Sequence, residues 1–140
     1  MYSRRGGRWL QVVDYGRKEP LMNDAAQLFE RLKEILEPYE SELTLVRDEP
    51  DDYYLDAGKN PKNGKPYFFG AVQIRKHYVS FHLMPVYFYP ELLENISRDL
   101  KRRMQGKSCF NFRRSDEPLI AELEDLVRAG FQRYQEDGLV

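Results

Sequence analysis

The 140 residues carry 22 basic and 23 acidic side chains, a formal net charge of -1, with 41% hydrophobic and 32% charged residues. One domain is the expectation at this length, and the composition excludes a disordered or collagen-like chain and a molecule whose overall charge makes it a polyanion binder. One cysteine excludes an internal disulfide framework and any multi-cysteine metal site, and two histidines leave few places for imidazole chemistry.

Residues 1–21 hold Gly6, Gly7, Gly16 and Pro20 and show no sustained periodicity, so they read as an N-terminal arm outside a single domain over 22–140. The apolar residues after Arg8 are only Trp9-Leu10 and, beyond Gln11, Val12-Val13. That is shorter than the roughly 7 to 15 residues of a signal-peptide core. No stretch approaches the roughly 18 apolar residues of a membrane-spanning helix. The expected location is the cytoplasm, whose reducing conditions suit an unpaired thiol.

A first helix is predicted over Asp24–Glu37. Leu28, Phe29, Leu32, Ile35 and Leu36 form its apolar stripe, Asp24 with Gln27 reads as a capping box, and Pro38 ends it. Strands are predicted over Leu43–Val46 and Tyr53–Leu55, with a turn between them at Asp48–Asp52. Residues Lys59–Pro66 read as a loop, rich in Lys, Asn, Pro and Gly. Two longer strands follow over Tyr67–Ile74 and Tyr78–Met84, joined through Arg75-Lys76-His77. Pro90 is read as opening a second helix that runs to Gly106, with Leu92, Leu93, Ile96, Leu100 and Met104 on its buried side. A fifth strand over Ser108–Phe112 and a last helix from Ser115 complete the order α-β-β-β-β-α-β-α. The expected fold is α+β: a two-layer sandwich of a mostly antiparallel, five-stranded sheet with three helices. Leu32, Leu100, Phe110 and Leu123 are expected in its core.

The run Gly64-Lys65-Pro66-Tyr67-Phe68-Phe69-Gly70-Ala71-Val72, then Lys76-His77-Tyr78-Val79-Ser80-Phe81, resembles the central hairpin of the YdhG-like family of small bacterial domains, whose functions are largely unknown. Gly106-Lys107-Ser108-Cys109-Phe110-Asn111-Phe112 is similar to its second recurring block. The Arg75-Lys76-His77-Tyr78 turn departs from the Asn-His step of that family. The resemblance implies a two-layer α+β sandwich. It also implies, as an alternative function, a frataxin-like iron chaperone.

Charge is segregated along the chain. Residues 24–56 are net -8, 57–90 carry five cations and no acid, 91–114 are net +4 and 115–140 net -5. A near-neutral protein can therefore present an acidic and a basic face. Glu30, Glu34 and Glu37 share one face of the first helix and offer the carboxylate oxygens that hard cations prefer. Arg31 and Lys33 beside them equally suit a solvated helix surface. His77 and His82 are five apart, a poor spacing for a joint metal site on one strand. Cys109 shares a strand face with Lys107 and Asn111, but the sequence places no orienting base beside it. Tyr67, Phe69, Tyr78, Tyr87 and Tyr89, with Lys65, Arg75 and Lys107, mix flat aromatic area and positive charge. Such a set suits a small anionic or aromatic ligand, stacked bases, or a tyrosine-rich sheet face covered by loops. No phosphate loop, dinucleotide fingerprint, nucleophile elbow or zinc-protease helix occurs, and no cofactor is implied.

These residues point to a non-catalytic binding domain whose ligand site lies on the open sheet face and the 59–66 loop, with Lys65, Tyr67, Arg75, Tyr78 and Lys107 as candidates. Its partner is a small anionic or aromatic ligand or a protein, and no membrane. The alternatives are iron handling through Glu30, Glu34 and Glu37, and nucleic-acid binding, which the two acidic blocks oppose.

Overall fold

A computed structural model describes residues 22–140; the expectation for the 1–21 arm lies outside the described residues. Helix α1 spans Met22–Leu36 and continues as a 3-10 helix, Glu37–Glu42, with Pro38 near its start. Strands β1 (Thr44–Glu49), β2 (Asp52–Lys59), β3 (Pro66–Ile74) and β4 (Val79–Leu83) form an antiparallel meander. After β4 come α2 (Pro85–Phe88), a 3-10 turn (Pro90–Leu93) and α3 (Arg98–Lys101). Strand β5 (Cys109–Phe112) then pairs antiparallel with β4, and α4 (Glu117–Glu136) closes the fold. The sheet order follows the chain, β1-β2-β3-β4-β5. The class and the presence of five strands match the sequence expectation, but the first two run longer than Leu43–Val46 and Tyr53–Leu55 and take Asp48, Glu49 and Asp52 out of the expected turn.

The core lies between one face of the sheet and the helices α1 and α4. Tyr53, Val72, Phe81 and Phe110 are register partners across four strands, and none is exposed. Leu28, Leu32 and Leu36 from α1, with Leu119, Leu123 and Val127 from α4, cover them. Each such side chain contributes about 1.5–3 kcal/mol by leaving water. Leu32, Leu100, Phe110 and Leu123 are all fully buried, as expected. Strand β1 is exposed along its whole length, with Arg47, Asp48 and Glu49 among its residues; charges on an edge discourage pairing with a further strand.

Three local expectations are corrected. Helix α1 starts two residues early, so Asp24 is not its cap but a first-turn acid, favourable beside the helix's positive end. A bulge between β2 and β3 turns both Phe69 and Gly70 toward the core. Phe69 then packs against Phe131 and Tyr134, at ring separations of 5.8 and 5.5 Å, while Phe68 stacks on Tyr54 at 4.6 Å on the other face. The predicted helix over 90–106 is broken into short pieces. The cause is Ser97, whose backbone is extended and whose Oγ accepts from Leu100 N at 3.0 Å, capping α3. Glu122 of α4 fixes that serine, accepting from its backbone N at 2.7 Å and from its hydroxyl. Leu100 keeps its place in the core, but Leu92, Leu93, Ile96 and Met104 are only half-buried.

Candidate functional site

The segment between β4 and β5 is built around two prolines and three consecutive aromatics. Met84 N donates to Phe69 O at 2.9 Å, which holds the chain to the end of β3. Pro85 and Pro90 then start two single helical turns, where a missing N–H costs little. One turn radiates Tyr87, Phe88 and Tyr89 in different directions. Tyr89 goes inward, against Tyr134, and its hydroxyl bonds Asp137. Burial, then that bond, pushes the Tyr89 phenol up to about 12. Phe88 meets the edge of Tyr67 at 6.3 Å. Tyr87 and Phe88 remain 51% and 44% exposed, large aromatic surfaces left in water.

Opposite this turn, the chain leaves α3 and runs back toward β5. Gln105 N donates to Cys109 O at 2.9 Å and Asn111 N to Arg103 O at 2.8 Å, so Arg103–Gln105 lies along β5 like a short extra edge. Gly106, at φ 78°, reverses the chain at little steric cost. Between the two segments lies a cleft of about 670 Å³. Val86, Tyr87, Phe88, Pro90, Leu93 and Met104 give it apolar walls, and Lys101 and Lys107 are its charged lining residues. Lys107 Nζ stands 6.0 Å from the Tyr87 ring centroid, within reach of a cation–π attraction. Among the described residues no carboxylate lines the cleft. The arrangement can hold an apolar body against the aromatics while an ammonium group meets an anionic substituent.

The five expected ligand residues are not brought together. Lys107 lines the cleft, and Tyr67 lies behind it through Phe88. Lys65 is exposed at the end of the 60–65 loop and does not line it. That loop closes on itself: Asn60 N donates to Lys65 O at 2.8 Å, and Asn60 and Asn63 side chains accept from Lys62 N and Lys65 N. Arg75 and Tyr78 lie at the other end of β3, about 26 Å from Tyr67 at the ordinary strand rise of about 3.3 Å per residue. One small ligand therefore cannot touch all five. Of the other aromatics in that set, Phe69 and Tyr89 belong to the core.

The sheet face away from the helices carries a polar network, beside which the buried His82 Nε2 finds no hydrogen-bond partner among the described residues. Arg47 lies 4.3 Å over the Tyr54 ring and bonds Asp52 at 2.6 Å. Gln73 donates to Asp52 at 3.1 Å and accepts from Arg75 at 2.6 Å. The register sets His82 directly beside Cys109, a neighbour that the sequence reading missed. Alignment of Phe81 with Phe110 as core partners would have revealed it. Burial, then the Arg75 charge, lowers the His82 pKa, and burial raises that of Cys109. Both groups are thus held neutral, and the Cys109 thiol donates to Asn111 Oδ1 at 3.3 Å. This is not the thiolate that nucleophilic chemistry requires.

The acidic helix face is threaded with cations. Arg31 bonds Glu34 at 3.3 Å and Glu117 at 3.0 Å, and Lys33 reaches Asp48 at 2.9 Å and Glu37 at 4.0 Å. Glu30 is exposed on the same helix. Among the described residues no group of three His, Cys, Asp or Glu side chains is placed to hold a metal ion, and no helix is long and apolar enough to cross a membrane. Comparisons with protein-family models, with curated proteins and with solved structures returned no match to this chain.

Proposed function

We propose that this chain is a small-molecule-binding domain, and that its ligand combines an aromatic or branched aliphatic body with an anionic group. The observation that carries this reading is the cleft between residues 86–93 and 101–107, with apolar walls and, among the described residues, only lysine charges. Its volume lies within the roughly 300–1,000 Å³ usual for ligand sites. This site lies at the sheet's end rather than on its open face, and of the five residues expected from the sequence it contains Lys107. Iron handling is the weaker reading, because two of its three helix carboxylates, Glu34 and Glu37, already have cationic partners. Membership of the YdhG-like family and a cytoplasmic location are part of the same proposal, supported by the strand motifs and the single thiol.

A fluorescence titration with 1-anilinonaphthalene-8-sulfonate tests it. That probe pairs an aromatic body with one negative charge. Wild-type protein in its native, cooperatively melting state should enhance and blue-shift the emission saturably. Tyr87→Ala should abolish saturation, and Lys101→Ala with Lys107→Ala should weaken binding several-fold, more at low salt than at high. Melting temperatures should stay within a degree or two, since all three side chains are exposed. Unchanged binding in the triple variant would reject the cleft as the site.

A further inference from the structure

A second concavity, of about 330 Å³, lies on the other side of Met104, which lines both. Its chemistry is different. Arg102 and Arg103 enter from the turn after α3, and Arg113 from the connection between β5 and α4. Tyr78, Gln105 and Asn111 complete the polar wall, again without a carboxylate among the described residues.

The polar groups are oriented rather than free to turn. The Cys109 thiol donates to Asn111 Oδ1, and Asn111 Nδ2 donates to Gln105 Oε1 at 2.7 Å. This chain occupies one lone pair on each amide oxygen and turns both oxygens along it. Gln105 Nε2 is left with its two N–H donors, so the groove presents an amide donor beside guanidinium donors. The same backbone bonds that hold Arg103–Gln105 along β5 give the arginines a fixed base. Arg102 bonds Asp99 at 2.7 Å, but both side chains are two-thirds or more exposed, a pairing worth little in water. Arg103 approaches Asp116 only to 4.0 Å. Arg113 has no ion pair among the described residues.

We propose that this groove is a site for a small phosphate-bearing molecule, of the diphosphate class. Planar guanidinium forks match phosphate oxygens two at a time. Three of them, with an amide donor, supply more charge and more donors than one carboxylate can use. A diphosphate brings at least two charges and several acceptor oxygens within one compact group. The flanking carboxylates decide the size class. Asp99 and Asp116 border the arginines, and α4 beyond them is acidic, so an extended polyanion meets repulsion where a compact one does not. The site is independent of the apolar cleft, and neither reading requires the other.

The test is isothermal titration of the full chain with pyrophosphate and with inorganic phosphate at low and near-physiological salt. Pyrophosphate should bind saturably and more tightly than phosphate. Arg102→Ala and Arg113→Ala should each weaken it by about tenfold, and Arg103→Lys should weaken it too, because a lysine keeps the charge and loses the fork. Arg128→Ala, a remote exposed cation, should have no effect, and Lys107→Ala little, which separates this site from the cleft. An equal loss in Arg128→Ala would reduce the effect to general charge and overturn the proposal. So would no detectable binding at about 1 mM pyrophosphate. So would tighter, Arg113-dependent binding of a single-stranded oligonucleotide, which would assign the groove to nucleic acid.

Discussion

Gly130 ties the buried helix α4 to the cleft. A Cβ built there would stand 2.8 Å from Pro85 Cβ and 3.1 Å from its Cγ, and both belong to a stiff ring that cannot swing aside. Alanine in mid-helix gains about 1 kcal/mol in propensity over glycine. Overpacking costs about 1–3 kcal/mol, so Gly130→Ala should be net destabilising by about 1 kcal/mol and should displace the turn that presents Tyr87 and Phe88. Chemical denaturation checks the first point; a neutral or stabilised variant would mean that Pro85 yields. His82 gives a pH dependence. Its folded pKa lies below the ordinary value of 6.5, through burial and then Arg75, so the unfolded chain binds a proton that the native chain refuses. Stability should therefore fall as pH drops from 7 toward about 5.5, and His82→Gln should flatten that slope. Asp56, raised by burial, acts with the opposite sign at lower pH, which is why the comparison stops there. Equal slopes in both proteins would show that the imidazole is not the group responsible.

At the scale of elements, the segment between β4 and β5 holds the structural lesson. Strands were legible because alternation and turn chemistry agree: Val79, Phe81 and Leu83 face one way, and Gly64 takes φ 71° in the loop before β3. The helix over 90–106 was misread because its apolar spacing is helical while its backbone is not. Ser97 prefers a cap to a helix interior, and Glu122, distant in sequence, fixes that choice. The bulge at Phe69 and Gly70 is likewise invisible to strict alternation, which groups the core aromatic Phe69 with surface ones. Lys107 was legible as a candidate from its Gly-Lys step, but its cleft partners Val86, Leu93 and Lys101 were not. Their convergence depends on where the broken helix returns. Ser97→Ala should cost about 1 kcal/mol by uncapping α3. Leu100→Ala should cost about 2–5 kcal/mol by opening the core beneath it. Thermal denaturation with both variants checks this. A larger loss from Ser97→Ala than from Leu100→Ala would mean that the polar clasp to Glu122, not packing, holds the segment.

Across the whole molecule, the charge segregation seen in the chain becomes spatial. The acids of α1 are joined by Arg31 to those of α4, while the cations of residues 98–113 gather around the cleft and the arginine groove. Helices and one sheet face make the core, the opposite face carries the Arg47–Asp52–Gln73–Arg75 network, and the apolar cleft lies beside the segment between β4 and β5. The proposed function requires that a ligand sit in the cleft. Amide chemical-shift mapping during titration with 1-anilinonaphthalene-8-sulfonate tests this most directly. Saturable shifts should concentrate at Val86–Phe88, Leu93, Lys101, Met104, Gly106 and Lys107, with Thr44–Glu49 and the 60–65 loop unmoved. Shifts centred instead on Tyr54, Phe68 and His82 of the open sheet face, or on the 60–65 loop, would contradict it.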